Sequence, residues 1–262
     1  MKSIPYFEVF AFTNRMFAGN PAGVCLLEEF LPDEQLQAIA TENNLADTAF
    51  LVGRGERFDL RWMTPAVEVD LCGHATLAAA HILFQHRGFA LEAIRFDTKS
   101  GELVVKRAAG RLELDFPSRP AEEGGDSGAV AKSLGASPEK VLRGRDYFAI
   151  FPSQEAVAAL QPDFEAVARL DAQGIVVTGP GEDCDFVSRY FAPAAGIPED
   201  PVTGSTHCTL IPYWAERLGK RELFARQISP RGGELFCEDR GERVGIGGEA
   251  ITYVEGKIYL PD

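Results

Sequence analysis

Arg61-Trp-Met-Thr-Pro-Ala66 and Arg189-Tyr-Phe-Ala-Pro-Ala194 are two versions of one pattern. After the first, a loop leads to Gly73-His-Ala-Thr-Leu77 and an apolar helical segment that continues to Phe84. After the second, a loop about three residues longer leads to Gly204-Ser-Thr206 and another apolar helical segment, to Ala215. Each half therefore runs strand, proline loop, glycine, buried helix. This points to one duplicated unit rather than a solenoid, whose repeats are about 20–50 residues long.

Outward from these two segments, the first half reads as strands at Tyr6–Phe12, Val24–Leu27, Thr48–Val52 and Phe58–Met63, from their aromatic and β-branched content. Gly19-Asn-Pro21 reads as a turn. A helix begins at Pro32-Asp-Glu34, with acids in its first turn, and ends at Asn43-Asn44. Three strands follow at Ala93–Thr98, Glu102–Arg107 and Arg111–Asp115, and the polar stretch Pro117–Gly128 reads as a linker. The second half gives strands at Tyr147–Phe151, Gly174–Thr178 and Phe186–Phe191, and short helices at Ser153–Leu160 and Phe164–Leu170. Pro193 opens a loop to Gly204, Pro212 predicts a kink in the helix that follows, and the tail from Gln227 alternates like paired strands. These signals divide the chain into 1–117 and 118–251, with 252–262 free to pack back on the first half.

The 262 residues carry 26 Lys and Arg against 39 Asp and Glu, a formal charge of −13. So acidic a chain is a poor nonspecific nucleic-acid binder, which must neutralise phosphates with cations. No apolar run approaches the roughly 20 residues of a membrane helix, and Met1–Tyr6 lacks the order of a signal peptide. Five scattered cysteines form neither a disulfide framework nor a zinc pattern, so a reduced cytoplasmic protein is expected. No histidine pair has metal-ligand spacing with a carboxylate or thiol, which argues against a metal. Arg231-Gly-Gly and Gly245-Ile-Gly-Gly248 lack the strand–helix setting of a phosphate loop, and Gly204-Ser-Thr is not a nucleophile elbow.

Two glycine-led buried helices each present unpaired N–H groups at their starts. Facing one another across two halves, they would make a cleft that holds a small carboxylate and stabilises charge built on it during loss of an α proton. His74, Ser205 and Asp200 are polar groups at these helix starts that an all-core role leaves unexplained.

Phe17-Ala-Gly-Asn-Pro-Ala-Gly-Val24, Asn44-Leu-Ala-Asp-Thr-Ala-Phe50, Cys72-Gly-His-Ala-Thr76 and Glu199-Asp-Pro-Val-Thr-Gly-Ser205 occur in this order. Together they resemble the PhzF-like phenazine biosynthesis family, relatives of diaminopimelate epimerase, over nearly the whole chain. The resemblance implies an α+β fold of two pseudo-symmetric halves, each a curved mixed sheet wrapped around a central buried helix, with the site between them. It also implies acid/base isomerase chemistry on a small carboxylate substrate, no metal, no organic cofactor and a homodimer.

The resemblance sets Asp47 where the family's catalytic glutamate stands, one methylene shorter. As general base it would have its pKa raised by desolvation; otherwise it is a turn or helix-end aspartate. Asp200 is either the second proton carrier or an Asp-Pro turn initiator. His74 would orient the substrate or relay a proton, with a satisfied core histidine as its plain alternative; His207 is the weaker candidate. Ser205, with Gly204 and Gly73, would bind the substrate carboxylate, or Ser205 would serve as a helix N-cap. Asn20 is a substrate contact or a structural turn. Cys72 aligns with one thiol of cofactor-free racemases, but the repeat sets Thr203 opposite. Two-thiol racemisation is therefore disfavoured, and Cys72 reads as a small buried residue. Asp47 in place of glutamate keeps open a second reading, a catalytically silent binding module.

Overall fold

The computed structural model describes residues 2–260. The chain divides into two compact units, one formed by the segments Met1–Asp115 and Gly247–Asp262 and the other by Phe116–Ile246.

The first unit contains β1 (Lys2–Ala11), β2 (Asn20–Leu27), α1 (Asp33–Asn43), β3 (Asp47–Arg54), β4 (Arg57–Met63), β5 (Glu68–Val69), α2 (Gly73–His86), β6 (Ala93–Thr98), β7 (Gly101–Ala108) and β8 (Arg111–Pro117). In the second are β9 (Glu122–Glu123), α3 (Ser127–Leu134), β10 (Lys140–Arg143), β11 (Tyr147–Ile150), α4 (Gln154–Ala158), α5 (Phe164–Ala168), β12 (Ile175–Pro180), β13 (Phe186–Ala192), a 3₁₀ turn (Pro193–Ala195), β14 (Ile197–Asp200), α6 (Gly204–Leu218), β15 (Glu222–Gln227) and β16 (Gly233–Asp239). Two further strands follow, β17 (Arg243–Gly248) and β18 (Ala250–Leu260), and β18 pairs antiparallel with β1 in the first unit.

The two units repeat one set of strand pairings. In the first, β2 and β3 are parallel across α1, β4 lies antiparallel to β3, the short β5 folds back on β4, and β6 runs parallel to β4 after α2. In the second, β11 and β12 are parallel across α4 and α5, β13 lies antiparallel to β12, the short β14 folds back on β13, and β15 runs parallel to β13 after α6. A flanking antiparallel partner completes each edge, β7 on β6 and β16 on β15. Pairings this specific in matching order explain why the sequence motifs recur in matching order.

The buried character of the two glycine-led helices follows from composition. In α2, Gly73–Ala80 is buried at every position, as are Ile82, Leu83 and Phe84, and the helix packs on β1, β2, β3, β7 and β18. A helix apolar all round has no face for water and must be enclosed. The amphipathic α1 instead buries only Leu36, Ile39 and Ala40, which join Ile4, Cys25, Leu27, Phe50, Val52 and Met63 in one core. In the second unit Trp214 of α6 stacks on Phe186 at 5.6 Å and donates its indole N–H to Thr178 Oγ1 at 3.0 Å, so this buried aromatic keeps its polar end satisfied.

Several local expectations change. Gly19-Asn20-Pro21 is no turn: Asn20 and Pro21 open β2, opposite Ala11 and Phe10 of β1. The chain reverses earlier, where Phe12, Phe17 and Gly19 all adopt positive φ. Asp47 is the first residue of β3, not a helix-end residue. The last two residues of the expected linker, Ser127 and Gly128, open α3, whose N-cap Asp126 accepts from the Ala129 N–H and whose C-cap is the left-handed Gly135. The glycines at 124, 125 and 128 hid that cap signal. The loop before Gly204 contains β14, and α6 runs as one helix through Pro212.

Candidate active site

In the first unit, the chain enters β3 directly from α1, and α2 starts at Gly73. These two starts bring Asp47, Cys72 and His74 together. Cys72 Sγ donates to Asp47 Oδ2 at 3.1 Å and lies 3.4 Å from His74 Nδ1, and His74 Nε2 is 3.6 Å from Asp47 Oδ2. Asp47, Cys72 and His74 are 7%, 6% and 5% exposed. Burial pushes the His74 imidazole down to about 3, so it is neutral at physiological pH. Cys72 is the N-cap of α2, yet its side chain makes no capping bond. Its carbonyl accepts from the Thr76 N–H at 3.3 Å and the Thr76 hydroxyl at 2.5 Å, which fixes its backbone. The helix start thus has no side-chain cap from that residue, and its positive end adjoins the three groups. Asn20 is fully buried on β2, two residues from Ala22, the strand partner of Asp47.

The second unit builds a counterpart from different side chains. Thr203 is the N-cap of α6 and, like Cys72, does not cap its helix. Its hydroxyl donates to Asp200 Oδ2. Gln227 closes the ring: its Oε1 accepts from the Thr203 N–H at 2.8 Å, and its Nε2 donates to the Asp200 carbonyl at 2.8 Å and to Thr203 Oγ1 at 3.2 Å. Asp200 is 7% exposed and ends β14, opposite Tyr190 of β13. His207 lies one turn into α6, fully buried. Its Nδ1 is 2.8 Å from the Thr203 carbonyl and so carries the proton, and burial pushes it down to about 4. Ser205, on the first turn of α6, lines a cavity of about 130 Å³ with Arg119, Arg145, Asp146, Tyr147 and Thr209.

Of the expected site residues, Asp47, His74, Gly73 and Asn20 belong to the first unit and Asp200, Gly204 and Ser205 to the second. The structure groups Asp47 with His74, and Asp200 with the start of α6. Three residues do more at these helix starts than the sequence indicates. Cys72 is buried as expected, but it is a hydrogen-bonded neighbour of Asp47 and not an inert filler. Thr203 is reached in the sequence as the repeat counterpart of Cys72, but its bond to Asp200 is not. Gln227 had none, because it enters from β15, 24 residues away. Likewise Cys72-Gly-His74 does not read as a ligand pair, since the carboxylate that joins it is 25 residues distant.

One further relation ties the repeat to these groups. Arg61 of β4 grips Glu68 of β5 through Nε and a terminal nitrogen, at 2.8 and 2.9 Å. Arg189 of β13 grips Glu199 of β14 in the same way, at 2.7 and 3.0 Å. Each clamp anchors the short return strand that leads into a glycine-started helix. The arginine holds the Glu68 carboxyl down at about 2.

Comparison with known proteins agrees with this architecture. The profile of the family described as phenazine biosynthesis-like protein matches residues 9–256. An uncharacterized isomerase of Pseudomonas aeruginosa is 51% identical over 258 residues, covering 98% of this chain and 99% of that protein. The crystal structure of a PhzF-family phenazine biosynthesis protein from Enterococcus faecalis superposes with a TM-score of 0.96 at 46% identity, over 99% of this chain and 100% of that one. A predicted epimerase of P. aeruginosa, 20% identical, has a TM-score of 0.77 over 98% of this chain and 100% of that one, and shares the fold. The chain belongs to the phenazine biosynthesis-like protein family.

Proposed function

We propose that this protein is a cofactor-independent isomerase that moves a proton on a small carboxylate-bearing substrate. The observation that carries the reading is the buried Asp47 carboxylate, which accepts from the Cys72 thiol and lies 3.6 Å from His74 Nε2 at the start of α2. In this reading Asp47 takes the proton from carbon and returns it at another position. A side chain fixed on a strand beside a helix start has the preorganisation that proton transfer needs. His74 is neutral, so it polarises the substrate through a hydrogen bond and does not serve as an imidazolium acid. The amide end of α2 at Gly73 holds the substrate carboxylate beside Asp47. The name of the relative 51% identical to this chain, an uncharacterized isomerase, supports the reaction class.

The test is conversion of a panel of small cyclic amino- and hydroxy-carboxylates, followed by NMR. Turnover of one member to an isomer supports the reading. Tight binding across the panel with no conversion would favour a silent binding module instead.

A further inference from the structure

Among the described residues, Asp47, Cys72 and His74 are the one trio of thiol, imidazole and carboxylate groups whose ligand atoms all lie within 4.8 Å of one another. We propose that these three side chains form a binding site for a thiophilic divalent cation of the zinc class. The argument is geometric first. A tetrahedral zinc with sulfur at about 2.3 Å and nitrogen and oxygen at about 2.0–2.1 Å sets its ligand atoms about 3.3–3.6 Å apart. The separations here are 3.1 Å from sulfur to the carboxylate oxygen, 3.6 Å from His74 Nε2 to that oxygen, and 4.0 Å from the same nitrogen to sulfur. Shifts of a few tenths of an ångström bring all three onto one ion. Three protein ligands leave the fourth position for water or another exchangeable group, the arrangement of an open rather than a structural zinc site.

Charge and donor type agree with the geometry. A divalent ion with one thiolate, one carboxylate and a neutral imidazole has no net charge, so burying the assembly costs far less than burying an unpaired ion. Binding converts Cys72 S–H to a sulfur–metal bond and releases that proton to solvent, with no change of oxidation state. The repeat fixes the stoichiometry. The counterpart of Cys72 in the second unit is Thr203, a hydroxyl already donated to Asp200 and a poor ligand for a soft cation. One ion per chain is therefore the expectation.

The functional consequence rests on the isomerase reading: a cation on Asp47 occupies the lone pair that proton transfer uses, so the site is an inhibitory one. The binding itself does not depend on that reading, and the experiment keeps the two apart. Purified, chelator-treated full-length protein is titrated with Co²⁺ and followed by its thiolate-to-cobalt charge-transfer band, then back-titrated with Zn²⁺. The wild type takes up one equivalent with the band. Cys72→Ser loses the band, and Asp47→Asn and His74→Gln each weaken binding at least about tenfold, by analogy with the 10–100-fold losses from altering even outer-shell groups. Melting curves of the metal-free variants confirm that each is folded. No band in the wild type, or a band that survives Cys72→Ser, overturns the site whatever the activity. If binding holds, Zn²⁺ at saturation abolishes turnover of a substrate found by NMR. Full turnover with the site occupied would overturn the inhibitory role.

Discussion

The thiol of Cys72 stands 3.1 Å from the Asp47 carboxylate and donates to it in preference to capping the helix it begins. Thr203 repeats the arrangement in the second unit, with a hydroxyl donating to Asp200 at the start of α6. A helix start whose N-cap side chain is turned to an aspartate leaves amide groups for a ligand, and in the same step fixes a carboxylate beside them. Asp47→Asn keeps size and shape while removing the base. It is expected to lower kcat about 10²–10⁴-fold with little change in KM or melting temperature. Steady-state kinetics and calorimetry on the same preparation check both halves of that statement.

Acid sensitivity follows from the buried histidines. His74 and His207 are pushed down to about 3 and about 4 by burial, against an ordinary value of 6.5. Below pH 6.5 the unfolded chain therefore binds protons that the folded one excludes, and stability falls as pH falls. Each such histidine contributes a loss of about 1–2 kcal/mol between pH 6.5 and 5. Urea unfolding at the two pH values measures it. His207→Leu, at the position whose Nε2 has no partner among the described residues, flattens the slope.

The paired clamps are expected to be unequal. Arg61–Glu68 and Arg189–Glu199 have matching bidentate geometry. Arg189 also donates to the carbonyls of Val157, Ala158 and Leu160, which close α4. Its side chain is 12% exposed against 18% for Arg61. Arg189→Ala is expected to cost about 3–4 kcal/mol, since it leaves Glu199 and three carbonyls short of a donor, and Arg61→Ala about 1–2 kcal/mol. Chemical denaturation of the two variants ranks them.

Glycine strain gives a matched control. Gly19 has φ +68°, and a Cβ there would lie 2.3 Å from the Ala11 carbonyl oxygen and 2.6 Å from Thr13 Cγ2. Gly55 has φ +71° with nothing within 4 Å. Gly55→Ala is expected to cost about 1 kcal/mol from conformation alone, and Gly19→Ala about 2–4 kcal/mol because backbone must also move. The difference in unfolding free energy isolates the steric part.

Much of the fold can be read from two short segments, for an identifiable reason. Arg61 and Arg189 precede proline loops and glycine-led apolar helices, and a helix apolar all round has one possible environment. The order of the pairings around it then follows. Local backbone was less legible. Asn20-Pro21 reads as a turn by composition but is pulled into β2, because β1 supplies partners and the reversal is made at Phe12, Phe17 and Gly19. Asp126 caps a helix whose first residues, Ser127 and Gly128, read as linker beside the glycines at 124 and 125. At the site, Asp47 and His74 were legible through motif position. The company they keep was not, because Cys72 and Gln227 act through contacts 25 and 24 residues away in sequence, which no local pattern records.

The most direct test of proton transfer through Asp47 is exchange at carbon in D₂O, followed by mass spectrometry on a turned-over carboxylate. Wild type and Cys72→Ala are expected to incorporate solvent deuterium at rates within about tenfold of each other, and Asp47→Asn to fall by at least about 10². Undiminished incorporation by Asp47→Asn, with loss in Cys72→Ala, would make the thiol the base and contradict the account.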